Sequence, residues 1–245
     1  MLHVREMSVS FSSYTRGMRR KEVQVIQALD LEVAAGEVLA VVGQSGAGKS
    51  LLAHALLGLL PGNAVVGGEL RFKGQLLTPR RMRQLRGREM ALIPQSVAYL
   101  NPLLAVGTQI ARAAQLGGCT AREAKAIMEA SLQQHRLAPE VQRWRPFQLS
   151  GGMARRVLTA AATVGNAQLL LADEPTNGLD APIAAETLAH LRALADAGKA
   201  VLLISHDIDA ALRVADRVAV FCAGLSVELT SAANFQAARL RHPYS

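Results

Sequence analysis

Apolar positions along the chain follow two rhythms. Residues 1–11 alternate loosely between apolar and polar, as an edge strand does, and residues 23–33 alternate again. The stretch between them, residues 12–22, is polar, basic and glycine-containing, and predicts a loop. Residues 38–42, Val-Leu-Ala-Val-Val, are short, wholly apolar and rich in β-branched side chains, the pattern of a parallel strand buried on both faces. A glycine-rich stretch follows, then a helical pattern from Lys49 to about Leu60, stopped by Pro61-Gly62. The runs at 169–172, 200–204 and 218–222 predict further buried strands, and residues 181–197 read as a helix between them. Strands alternating with helices imply a mainly parallel sheet with helices on its faces. Residues 106–162 differ: their pattern is mostly helical with no convincing strand, which predicts a helical lobe inserted into the sheet.

Composition narrows the class. The chain has 245 residues, half of them hydrophobic, enough for one large α/β domain or for one core with a lobe attached. Aromatic residues make up only 4 %, so the core must be mainly Leu, Val, Ala and Ile. Cys119 and Cys222 give neither a disulfide framework nor a metal-ligand spacing, which fits a reducing compartment. No apolar run approaches the ~18 residues of a membrane helix, and residues 1–6 lack a secretory signal pattern. The expectation is a soluble chain whose membrane role, if any, comes through a partner. The net charge of +8 gathers at residues 16–21 and 80–88. Such a balance fits nucleic acid, anionic lipid or a polyanionic ligand, and a solvated Arg-rich surface accounts for most of it.

The chemistry sits at the ends of the predicted strands. Gly43-Gln44-Ser45-Gly46-Ala47-Gly48-Lys49-Ser50 fits the phosphate-loop pattern G-x-x-x-x-G-K-[ST], between a buried strand and a helix, where that motif belongs. Its glycines let backbone amides turn inward on phosphate, and the helix N-terminus adds partial positive charge. Lys49 is expected to reach the β- and γ-phosphates and the Ser50 hydroxyl to ligate Mg²⁺. A second apolar strand ends in Asp173-Glu174. Alone, such an ending usually marks a strand meeting solvent. Beside a phosphate loop it places Asp173 next to the metal and lets Glu174 polarise a water for attack on the γ-phosphate.

A third segment, Leu149-Ser150-Gly151-Gly152-Met153, resembles the signature sequence of ATP-binding cassette ATPases. The rest of that family's motifs fall in its order, with Gln95 at the Q-loop position, Asp173-Glu174 at Walker B, Leu179-Asp180 at the D-loop and His206 at the switch histidine. The resemblance runs from Leu2 to Tyr244. It implies a P-loop NTPase of α/β class: a mainly parallel sheet with an antiparallel β edge and an inserted helical subdomain. A single nucleotide-binding domain would span residues 1–245, with its core at about 1–95 and 163–245 and the helical part at about 96–162. ATP and Mg²⁺ are the implied cofactors. Residues 43–50 and Gln95 would hold ATP, with Phe11, or Tyr14 in reserve, stacked on adenine. Ser50, Gln95 and Asp173 would hold the metal, and Lys49, Glu174 and His206 would act in hydrolysis. Residues 149–153 would close on the ATP of a partner cassette paired head to tail, since within one chain they cannot easily face the phosphate loop.

Several segments are similar to the oligopeptide/dipeptide/nickel importer branch: Leu59-Leu60-Pro61-Gly62, residues 86–95, Leu100-Asn101-Pro102, residues 106–110 and Arg241-His242-Pro243-Tyr244. Met153 and the Arg-Gly-Arg-Glu run resemble the first, D-type ATPase of that branch. This implies a non-identical partner ATPase, two membrane permease subunits, an extracytoplasmic substrate-binding protein and a place on the cytoplasmic face of the inner membrane. Pro94, Asn177-Gly178 and Ala154 depart from the family pattern, yet no catalytic group is lost. The shorter chain, without a C-terminal cysteine cluster, leans the cargo towards nickel or a metal–metallophore rather than peptide. Two other readings compete: a cassette ATPase acting on nucleic acid, which the charge invites, and a small-molecule kinase built on the same phosphate loop. The first lacks zinc cysteines and a second cassette, so no specific nucleic acid is expected. The second leaves residues 149–153 unexplained.

Overall fold

The computed structural model describes residues 1–14 and 20–245, with side chains described for 1–12 and 21–245. The Tyr14 ring and most of the basic run at 16–21 therefore lie outside the described residues. In chain order the first elements are β1 (Leu2–Tyr14), β2 (Arg20–Val33), β3 (Val38–Gly43), α1 (Lys49–Leu56), β4 (Ala64–Phe72), β5 (Gln75–Leu76), α2 (Pro79–Leu85) and β6 (Met90–Ile93). Helices α3 (Val106–Leu116), α4 (Ala121–Gln134) and α5 (Gly151–Thr163) follow without an intervening strand. The chain then runs β7 (Leu169–Asp173), α6 (Ala181–Asp196), β8 (Ala200–Ser205), α7 (Ile208–Leu212), β9 (Arg217–Cys222), β10 (Leu225–Ser231) and α8 (Ala232–Gln236).

Two sheets result. One is antiparallel, in the order β2-β1-β4-β5, and the other runs β10-β9-β3-β8-β7-β6. In the second sheet every pairing from β9 to β6 is parallel, and β10 pairs antiparallel with β9 at the edge. The α/β class, the antiparallel edge and the inserted helical segment all stand as the sequence implied. Strand β3 shows why its run could be wholly apolar. Leu39 and Val41 enter the core shared with α1 and the antiparallel sheet, while Val38, Ala40 and Val42 enter the core beneath α6, α7 and α8. A third cluster, including Val106, Ile110, Met128, Leu132, Val141 and Val157, joins α3, α4 and α5.

Two boundaries differ from expectation. Residues 12–22 are no simple loop: β1 and β2 continue pairing through Ser12↔Glu22 to Tyr14↔Arg20. Backbone pairing tolerates polar side chains on an exposed ribbon, and here Ser10 Oγ donates to the Glu22 carboxylate across the pair at 2.5 Å. Helix α1 stops at Leu56 rather than near Leu60. Gly58 takes the left-handed conformation, φ +62°, and its N–H donates to the Ala55 carbonyl at 3.0 Å while Leu59 N–H donates to His54 at 2.8 Å, a glycine-terminated helix end.

The inserted helices are seated on the main sheet's layer by polar contacts. Helix α4 opens with a capping box, in which Thr120 accepts from Glu123 N–H and the Glu123 carboxylate accepts from Thr120 N–H. It ends at His135, whose ring lies 5.2 Å edge-on from His190 of α6. Next to them Arg136 pairs with Glu186 of α6 at 2.7 Å. Among the described residues no helix is long and apolar enough to cross a membrane.

Candidate functional site

Four adjacent strands of the parallel sheet, β3, β8, β7 and β6, deliver the candidate groups at their C-terminal ends. The phosphate loop follows β3, His206 follows β8, Asp173 ends β7 with Glu174 next, and Gln95 lies two residues beyond β6. Ligands of open parallel sheets bind along this edge, outside the carboxyl ends of the strands. A cleft of about 400 Å³ opens there, lined by Ser45, Gly46, Gly48, Lys49, Ser50, Leu51, Gln95, Glu174 and His206.

The loop is held by close backbone approach. Gly43 has φ +149°, and a Cβ there would sit 2.1 Å from the Phe221 carbonyl oxygen, so no other residue fits. Gly48 starts α1 in a left-handed conformation, and no side chain caps the helix. The N-terminal amides of α1 therefore lack the usual side-chain partner and face an open cleft, which is what an anion requires. Lys49 is 6 % exposed and folds back on the loop, Nζ donating to the carbonyls of Gly43 at 2.7 Å and Gln44 at 2.9 Å. Burial pushes its pKa down, against the pull of Glu174 and Asp173.

Beside it, Ser50 Oγ donates to Asp173 Oδ1 at 3.0 Å. Asp173 is 2 % exposed, and burial raises its pKa, opposed by the Ser50 hydrogen bond. A hydroxyl and a carboxylate already paired at the cleft's base are hard oxygen donors. They fit Mg²⁺, and Gln95 at the rim can add an amide oxygen. Among the described residues no group of three or more His, Cys, Asp or Glu is placed to hold a metal. Glu174 carries φ +49°, a left-handed conformation unusual for a side-chain-bearing residue and of the kind that collects at functional sites. Its Oε2 lies 2.7 Å from His206 Nδ1, and its amide donates to the Ile204 carbonyl at 2.9 Å.

Other sequence candidates lie elsewhere. Phe11 does not line the cleft; it is partly buried against the core of β1, α1 and β4. Residues 149–153 do not line it either. Ser150 caps α5 by accepting from Met153 N–H at 3.3 Å, and Gly151 has open space where a Cβ would be. Asp180 serves as the cap of α6, accepting from Ile183 N–H at 3.1 Å, and Leu179 approaches Gly152. Two groups near the cleft were not singled out from sequence. His54 Nε2 lies 3.1 Å from the Tyr99 hydroxyl, which joins α1 to the segment after Gln95. Arg155, 7 % exposed in α5, donates through Nη1 to the Pro94 carbonyl at 2.9 Å. The signal for Arg155 was a charged residue on the apolar face of an amphipathic helix.

Comparison with known proteins agrees with this geometry. A profile described as ABC transporter matches residues 26–177. The chain is 37 % identical over 256 residues to the "Probable peptide ABC transporter ATP-binding protein y4tR" of Sinorhizobium fredii, covering all of this chain and 74 % of that one. It is 34 % identical to the "Oligopeptide transport ATP-binding protein OppD" of Bacillus subtilis, again over all of this chain and over 70 % of the relative. Among solved structures, the ATP-binding cassette MJ0796, in a dimeric post-hydrolysis state bound to ADP and Pi, superposes with a TM-score of 0.82 over 95 % of this chain and 99 % of that one. At 23 % identity that likeness speaks for the fold. By its motifs, its fold and its relatives, the chain belongs to the ABC transporter family, as an ATP-binding cassette ATPase.

Proposed function

We propose that this chain is the ATP-hydrolysing motor subunit of a peptide importer, acting from the membrane's cytoplasmic face through permease subunits and opposite a second cassette. The observation that carries the reading is the convergence of Lys49, Ser50, Gln95, Glu174 and His206 on one cleft from four neighbouring strand ends. In hydrolysis, Lys49 leaves the Gly43 and Gln44 carbonyls for the phosphates. Glu174 takes the proton of a water whose oxygen bonds to the γ-phosphorus, and the bond to the bridging oxygen breaks with its electron pair leaving on ADP. His206, 2.7 Å from Glu174, fixes that carboxylate's direction. Ser50, Asp173 and Gln95 would hold Mg²⁺, which would supply neutralisation of the phosphate charge.

The signature residues support a shared site. Ser150, Gly151 and Gly152 lie outside this chain's own cleft and so are free to face a partner's nucleotide. Peptide cargo is favoured over nickel or a metallophore because the relatives named above are a peptide and an oligopeptide transport protein. In the assembled complex, Glu174→Gln is expected to retain ATP and to release phosphate at least about 100-fold more slowly. Phosphate release at the normal rate would overturn the role of Glu174. Cells whose only copy carries Lys49→Ala are expected to lose peptide uptake; loss of nickel alone would move the cargo assignment.

A further inference from the structure

Positive charge gathers at residues 80–88, and the nucleotide cleft uses none of it. The structure puts this run beside a second cavity of about 550 Å³, within the range of roughly 300–1,000 Å³ that holds small ligands. The end of α1, strands β4 and β5, and α2 wall it. Its floor is apolar: Ala55, Leu70, Leu77 and Met82 are between 1 % and 7 % exposed. On the strand side Val66 and Leu76 keep apolar surface open to solvent, at 41 % and 49 % exposure. The polar groups of the wall are few. Thr78 is engaged as the cap of α2, where it accepts from Arg81 N–H. Among the described residues no acidic side chain lines the cavity. Arg83 and Arg86 do line it, one turn apart at the end of α2, and neither forms an ion pair among the described residues. Neighbouring donors are committed elsewhere: Lys73 pairs with Glu89 at 2.5 Å, and Arg81 donates to the Gln75 side chain.

We propose that this cavity binds a fatty acid, with the alkyl chain on Ala55, Leu70, Leu77 and Met82 and the carboxylate on Arg83 and Arg86. An apolar space whose only charges are two cations is complementary to a molecule with an apolar body and one anionic end. A concave cavity of this size takes a single such molecule rather than the face of a bilayer. Burial of the chain supplies the affinity, and the guanidiniums select an acid over a neutral alcohol. The cavity shares no lining residue with the nucleotide cleft: Ala55 near the end of α1 lines the one, and Lys49 and Ser50 at its start line the other. Binding there therefore needs no nucleotide.

The test is equilibrium dialysis of radiolabelled decanoate, below its micelle-forming concentration, against the purified chain without nucleotide. Saturable uptake of one decanoate per chain is expected, and its absence overturns the proposal. Arg83→Gln combined with Arg86→Gln should weaken decanoate binding about tenfold or more and leave 1-decanol within about twofold of wild type. Unchanged decanoate affinity, or an equal loss of both ligands, removes the arginines as the carboxylate's partners and refutes it. Leu76→Trp, at an exposed position of β5, fills the cavity and should abolish uptake of both ligands in a chain that melts normally; undisturbed uptake places the ligand elsewhere. Uptake by the separate chain that is lost in the assembled complex would show a permease segment in the cavity. Binding to phosphatidylglycerol vesicles without uptake of free decanoate would make residues 80–88 a membrane-facing patch. Either of these last two results overturns the fatty-acid assignment.

Discussion

The glycine-bearing starts of α1 and α5 differ in what they leave undone. At α1 the cap is Gly48, no side chain satisfies the first turn, and Lys49, Ser50, Asp173 and Glu174 crowd around it. At α5 the cap is Ser150, which satisfies Met153 N–H by itself, and Gly151 beside it faces open space. The first start is under-bonded within the chain and rich in reactive groups. The second is self-sufficient and carries none of them. Helix N-termini favour anions in both cases, yet only the first sits in a cleft able to do chemistry.

The comparison can be broken most severely at α1. Lys49→Ala should lower hydrolysis by at least about 100-fold, measured as phosphate release by the assembled complex, because the γ-phosphate loses its cation. Activity within tenfold of wild type would mean that the loop amides alone suffice. The next largest effect concerns how the end of α4 is seated against α6. His135 has a pKa lowered to about 4, first by burial and then by His190 and Arg156. Its folded value lies below the unfolded one, so its contribution is complete above about pH 6.5 and is lost as pH falls towards 4, an effect of roughly 2–3 kcal/mol. Denaturant melts of wild type should weaken over that window, and His135→Gln should flatten the slope. An equal slope in both removes His135 as its source. Ser150→Ala should cost about 1 kcal/mol of stability through the lost cap. It should leave nucleotide binding by the separate chain unchanged while slowing hydrolysis by the paired cassettes; loss of binding by the chain alone would erase the distinction between the two helix starts. Smallest, Glu174→Gly should raise stability by about 0.5–1 kcal/mol by relieving φ +49°, although hydrolysis is lost. A melting temperature that falls would show that the Glu174 contacts outweigh the backbone strain.

Legibility from sequence followed the same divide. Strands β3, β7 and β8 were readable because burial on both faces leaves an unbroken apolar run, and the loop after β3 announces itself by spacing. The β1–β2 ribbon beyond Phe11 was not, because its pairing rests on backbone hydrogen bonds that Ser12 and Glu22 do not advertise. Strands β4, β6 and β10 went unassigned for the related reason that edge and half-exposed strands carry weak patterns. Lys49, Ser50, Asp173 and Glu174 could be named in advance, since each stands next to a readable strand, whereas His206 and Gln95 came only from the family resemblance. Arg155 and the His54–Tyr99 bond could not. Their partners lie 61 and 45 residues away, and only the folded chain brings them together.

The order β3-β8-β7-β6 has a consequence of scale. Neighbouring strands are spaced by about 4.8 Å, so the groups at the ends of these four are set out along roughly 14 Å in fixed steps. Because the sheet is buried on both faces, those steps cannot stretch to suit a ligand. The sheet edge is in effect a ruler, with the loop at zero and His206, Glu174 and Gln95 at successive graduations.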